Sequence, residues 1–294
     1  MKRQSFGAVM ALWVAASGVF ASGSASADQP VAGPVPPARV LAIGGDVTEI
    51  VYALDQGHRL LARDSTSTWP EAARALPDVG YMRALSLEGV LSVGPSLILS
   101  AEGAGPPETL DVLRAADIDF VEVTGGFDGA AIAAKIRTIG DALGVPGKAD
   151  TLAQEVTTAL AAAKARADAN PDPRKRVLFV LSAAGGKLTV GGAETGADAV
   201  IRLAGGVNAA EGFDGYKQLS DEAAAVAAPD VILMMERGGD HGTTADALFS
   251  LPALAITPAA DTRTLIKIDG LKLLGFGPRT AEAVTELNTL LYGG

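Results

Sequence analysis

The chain has 294 residues, 24 Lys and Arg against 34 Asp and Glu, and no cysteine. With 48% hydrophobic residues it can fill a sizeable core, which excludes wholesale disorder, and its acidic balance argues against non-specific nucleic-acid binding. The lack of cysteine removes disulfides, thiolate metal sites, iron–sulfur clusters and thiol nucleophiles together.

Lys2 and Arg3, the mostly apolar stretch from Phe6 to Phe20, and Ala25-Ser26-Ala27 stand in the order of a cleavable export signal. The apolar run is shorter than the ~20 residues of a spanning helix, so cleavage is expected after Ala27, giving an exported, periplasmic protein. Residues 28–38 hold Pro30, Pro34, Pro36 and Pro37, an extended tether that cannot make a helix.

Arg39 to Ile43 is a short buried-strand pattern closed by Gly44-Gly45. A helix follows, with Val47, Ile50, Val51 and Leu54 on one face and Gly57 as its stop. Leu97–Leu99 and Phe120–Val123 are further strands, each preceded by a helix-like stretch. Alternation of this kind predicts parallel sheets covered by helices. No strand pattern occurs from Asp128 to Ala169. One helix carries Ile132, Ile136 and Ile139, breaks at Gly144-Val-Pro-Gly147, and gives way to a helix-forming run from Lys148 to Asp168. That run would be about 30 Å long. Asn170-Pro171-Asp172-Pro173 ends it, and strands at Val177–Leu181 and Val231–Met234 open a second series.

The two series resemble each other. Leu85–Leu99 aligns without gaps onto Leu219–Leu233, with six of fifteen positions identical, Glu88 with Glu222 and Pro95 with Pro229 among them. Both segments read as a short helix starting at Ser, a Pro-marked turn and a buried strand. A repeat at this distance favours two alike lobes joined by the long helix. The expected organisation is a leader at 1–27, a tether at 28–38, a first lobe at 39–145, a bridging helix at 146–170 and a second lobe at 171–294.

Only His58 and His241 exist, so a site needing three imidazoles cannot be built. His58 lies in a helix-exit turn and reads as solvated. His241, in a glycine-rich loop after a strand, could face a cleft. The Gly44-Gly45, Gly185-Gly186 and Gly191-Gly192 pairs match neither the dinucleotide fingerprint nor a P-loop, and tight strand-to-helix turns explain them better. An exported enzyme with a glycine-rich cofactor loop is the alternative they leave open.

Gly80-Tyr81-Met82-Arg83-Ala84-Leu85-Ser86 is more informative. Tyr81 sits on a loop before a helix start, where an ordinary amphipathic surface role is the simple reading. With Arg83 two residues on, a second role opens. A ferric ion prefers an anionic oxygen and would drive the phenol to phenolate, and a neighbouring guanidinium stabilises the same charge.

These residues carry a resemblance. Val40–Leu54, the Glu88 and Glu222 segments, Gly80–Ser86, Glu102–Pro107, Gly215–Ser220 and Met234–Gly238 resemble the periplasmic haem-binding proteins of bacterial hemin ABC importers. These belong to the helical-backbone class of substrate-binding proteins that also holds cobalamin and ferric-siderophore binders. The resemblance implies an α/β protein of two Rossmann-like lobes joined by a long bridging helix, with the ligand cleft between them. It implies haem as transported cargo, a monomer that does no enzymatic chemistry, a hemin-importer permease as partner and, indirectly, an outer-membrane haem receptor system.

By the same resemblance Tyr81 is the axial ligand of ferric haem, Arg83 bonds its phenolate and Arg237 meets a propionate. Tyr216 and the Ala101–Gly105 loop, with Gly103 and Ala104, line the walls. Glu88 and Glu222, otherwise plain solvated helix residues, become the permease-docking acids. Some members place a His after the first strand of the second lobe and hold more than one haem. Here that turn reads Ser182-Ala183-Ala184-Gly185, which favours one five-coordinate iron.

Overall fold

The computed structural model describes residues 39–236 and 244–293. The expected leader and tether, Arg237 and His241 lie outside the described residues.

In the first half, β1 (Val40–Ile43) leads through Gly44 into α1 (Gly45–Ala53), and a 3-10 turn at Gly57–Arg59 leads into β2 (Leu60–Arg63). Then come α2 (Leu87–Ser92), β3 (Leu97–Ala101), α3 (Pro107–Ala115), β4 (Asp119–Val123) and α4 (Gly129–Ala142). The strands pair in the order β2-β1-β3-β4, all parallel. All four residues of β1 are buried, as a strand covered on both faces requires. Helix α1 buries Val47, Ile50 and Val51, the face that the sequence periodicity marks.

Helix α5 (Pro146–Asp168) is 23 residues, about 34 Å at 1.5 Å per residue. It starts on Pro146, two residues before the helix-forming run, because proline's fixed φ suits the first helical turn. Its buried residues, Ala149, Ala153, Val156, Leu160, Ala163 and Ala167, alternate in steps of four and three, a seam for neighbouring helices. Gly140 on α4 is required there, since a Cβ would lie 2.2 Å from that of Ala149.

The second half runs β5 (Arg176–Ser182), β6 (Leu188–Gly191), α6 (Gly196–Leu203), β7 (Val207–Asn208), β8 (Tyr216–Leu219), α7 (Asp221–Ala227) and β9 (Val231–Glu236). After residue 243 come α8 (Ala245–Phe249), α9 (Pro252–Ala255), α10 (Pro258–Thr262), β10 (Leu265–Asp269), α11 (Gly270–Leu274) and α12 (Thr280–Tyr292). Here the all-parallel expectation is corrected. The order is β10-β9-β5-β6-β8, and β6 and β8 pair antiparallel. The cause is local: Gly185 and Gly186, both at positive φ, turn the chain straight from β5 back into β6, so that pair makes a strand-to-strand turn rather than a strand-to-helix one.

The repeat is visible in the caps. Ser86 accepts from the Gly89 N–H at the start of α2, and Ser220 accepts from the Ala223 N–H at the start of α7. Both short helices then feed central strands. Helix α5 packs on α4 of the first half and on α12 of the second. One buried apolar cluster runs continuously from Val40 and Ile136 through Val156 and Leu160 to Val177 and Val284. The two halves therefore share a core along the bridging helix, with a smaller cluster on the far face of each sheet. This is the expected α/β architecture of two lobes and a bridge.

Candidate functional site

In open parallel sheets the crevice beyond the carboxyl ends of the strands is where ligands sit. The loops that leave those ends in the first lobe approach the second lobe. Phe127, after β4, packs on Phe276 with ring centroids 5.0 Å apart. Lys135 on α4 ion-pairs with Asp46, at the first turn of α1, and donates to the Gly275 and Phe276 carbonyls at 3.3 and 3.2 Å. Arg279, leading into α12, donates to Glu49 through Nη2 at 2.9 Å and through its backbone N–H at 3.2 Å. Its guanidinium lies over the Trp69 ring, 4.6 Å from the centroid.

Four aromatic rings, Trp69, Tyr81, Phe127 and Tyr216, keep between 43% and 49% of their surface exposed. Three stand on first-lobe loops, and Tyr216 opens β8 in the second. Aromatic side chains left half in water keep apolar area available for a ligand or partner.

The Tyr81 loop is fixed from both sides. The Gly80 carbonyl accepts from Ser65 at 2.9 Å, and the Gly80 N–H donates to Asp78 at 2.8 Å. Gly80 has φ 103°, a conformation that favours glycine and aims the next residue outward. Beyond Tyr81, the Gly105 N–H donates to the Met82 carbonyl and the Gly105 carbonyl accepts from Leu85, each at 2.9 Å. Gly105 thus ties the Tyr81 loop to the Ala101–Gly105 segment. Within it Ala101 is buried at the end of β3, whereas Gly103 is exposed.

Arg83 is exposed, and no acid pairs with it among the described residues. Its guanidinium is close enough to Tyr216 to bias that phenol electrostatically. Burial pushes Tyr216 above the ordinary 10, against the pull of the Thr195 hydroxyl and of Arg83. Tyr216 therefore remains a neutral phenol at neutral pH. The structure sets Tyr81 and Arg83 beside the Gly105 turn and brings Arg83 within electrostatic reach of Tyr216. Glu88 and Glu222 stand elsewhere, exposed in the capped first turns of α2 and α7. The backbone N–H of Glu222 and the Ser220 hydroxyl hold its carboxyl below the usual range.

Sequence reasoning missed Asp64, which is fully buried beyond β2. Its carboxylate accepts from the Gly44 N–H at 3.0 Å, the Thr66 N–H at 2.9 Å, and the Thr66 and Ser67 hydroxyls at 2.6 Å each. It locks the Gly44-Gly45 turn to the 64–70 loop. The Asp-Ser-Thr-Ser run directly after β2 was the signal, since such side chains bond nearby backbone. Trp69, Phe127 and Arg279 were also missed.

The periplasmic binding protein family model matches residues 40–270. A solved structure of the periplasmic heme-binding protein BhuT in complex with two hemes is 40% identical, with TM-score 0.81, covering 86% of this chain and 97% of that one. An uncharacterized ABC transporter substrate-binding lipoprotein of Bacillus subtilis, YvrC, is 24% identical over 258 residues, 87% of this chain and 80% of that protein. A vitamin B12-binding protein of Yersinia pestis is 35% identical over 80 residues, 27% of this chain and 29% of that protein. Matched over most of its described length and built on the same two-lobed plan, the chain belongs to the periplasmic binding protein family.

Proposed function

We propose that the protein captures ferric haem in the periplasm, in the crevice between its lobes, and delivers it to an inner-membrane ABC importer. Tyr81 supplies the phenolate to iron, Arg83 steadies that charge, and Tyr216 and the Ala101–Gly105 loop bound the macrocycle. Arg237, which follows Glu236 in sequence, takes a propionate, a contact that guanidinium geometry makes bidentate. Glu88 and Glu222, one per lobe, dock the permease. The similarity to a heme-binding structure supports the cargo.

The observation that carries the reading is Tyr81 itself: half-exposed, pinned on both sides, and two residues from an arginine that no acid pairs with among the described residues. Among the described residues no cluster of His, Asp and Glu is set to hold a bare metal ion. A lone phenolate suits iron that arrives with four positions already filled by a porphyrin. The end of β5 and the turn after it carry Ser182, Ala183 and Ala184 with no imidazole, so the reading is one haem with five-coordinate iron.

The 80-residue similarity to a vitamin B12 binder favours cobalamin as the second reading. Absorption titrations of the mature protein with hemin and with cobalamin separate the two. A Soret band saturating at one equivalent of haem, with no cobalamin retained, is expected, and cobalamin binding without haem binding overturns the cargo.

A further inference from the structure

The geometry points to Trp69 as a wall of the ligand site that stacks on the macrocycle, held there across the crevice by Arg279. This inference rests on the haem reading and adds a residue to it. The loop that bears Trp69 leaves the carboxyl end of β2, and its Ser65 N–H donates to the Gly80 carbonyl at 2.9 Å, one residue before Tyr81. One face of the indole lies under the Arg279 guanidinium, 4.6 Å from the ring centroid, yet 46% of the residue remains exposed. An aromatic capped on one face by a cation and otherwise left open is half of a stack.

Arg279 is itself immobilised. Glu49 takes both its Nη2 and its backbone N–H, and its Nε is buried with no hydrogen-bond partner. A guanidinium that leaves one N–H unused has been oriented for its flat face, and that face is spent on Trp69. The tie runs from the second lobe to the first, so the ring is set by the position of both lobes. Arg279 is thus a positioning residue and Trp69 the contact.

The test separates stacking from ligation by using two probes, ferric haem and iron-free protoporphyrin IX. Stacking acts on the ring system whether or not iron is present, whereas Tyr81 acts only on iron. Trp69→Ala is expected to bind both probes about tenfold more weakly, the scale of a lost base-like stacking contact, while its haem complex keeps the phenolate absorption. Trp69→Phe restores most of the affinity, which guards against a fold defect in the Ala variant. Tyr81→Phe loses haem affinity and leaves protoporphyrin binding unchanged.

Arg279→Lys keeps a cation for Glu49 but no planar group over the indole. It is expected to weaken protoporphyrin binding a few-fold and to shift the emission of Trp69, the only tryptophan after residue 27. Protoporphyrin affinity of Trp69→Ala equal to the wild type overturns the wall, and unchanged emission and affinity in Arg279→Lys overturn the positioning. A wild-type protein that takes up neither probe overturns the haem reading instead.

Discussion

Lys135→Met tests how firmly the two lobes are tied behind the crevice. The Lys135 side chain is 4% exposed and that of its partner Asp46 15% exposed. Methionine keeps most of the stem volume and removes the ammonium. Asp46 then loses its cation, and the carbonyls of Gly275 and Phe276 lose a donor. Removing one partner of a buried pair costs about 3–5 kcal/mol, and the partial access of water to Asp46 places the loss near the lower end, about 3 kcal/mol. In a domain of this size each kcal/mol moves Tm by roughly 2–4 °C, so a fall of about 6–12 °C is expected. Thermal and urea unfolding followed by circular dichroism measure it. The Asp46→Asn, Lys135→Met double variant should lose less than the sum of the singles, by about 1–3 kcal/mol, because the second change removes a charge already stranded. A Tm within about 2 °C of wild type would refute the tie, and strictly additive losses would refute the coupling of Lys135 to Asp46.

Burial raises the Glu49 carboxyl above its ordinary 4.5, against the pull of Arg279. The folded protein then holds a proton that the unfolded chain gives up, so this group's contribution to stability falls as pH climbs from about 4.5 through the raised value and is level above it. Glu49→Gln should remove that slope, and identical pH profiles for variant and wild type would contradict it. The Glu88→Ala, Glu222→Ala pair should bind haem within about twofold of wild type, since both side chains are exposed. The same pair should slow uptake into vesicles that carry the importer, and normal uptake would remove the docking role.

Much of the architecture was legible because burial on both faces leaves a strong pattern. Val40–Ile43, Leu97–Ala101 and Arg176–Ser182 are central strands with near-continuous apolar runs, and the helix interruption at Gly144-Val-Pro-Gly147 marks the bridge. The strands that escaped are short and lie at or near edges. Leu60–Arg63, Leu188–Gly191 and Tyr216–Leu219 carry Arg, Thr, Gly, Lys and Gln, which read as loop when half their surface meets water. The antiparallel turn at Gly185-Gly186 could not be told from a strand-to-helix turn by composition alone.

The site divides in the same way. Tyr81 and Arg83 announce themselves because a phenol and a guanidinium stand together beside a glycine. Lys135, Glu49 and Arg279 sit on or beside helices, where a charge normally faces solvent. Only the approach of the second lobe buries them. Trp69 reads as a loop aromatic until Arg279, 210 positions away, is seen over its face.

The most direct measurement is the visible absorption of the ferric haem complex in three proteins: wild type, Tyr81→Phe and Tyr216→Phe. Phenolate-to-iron charge transfer should be present in wild type and in Tyr216→Phe, whose phenol is the neutral one, and absent from Tyr81→Phe. Survival of that absorption in Tyr81→Phe would contradict the account.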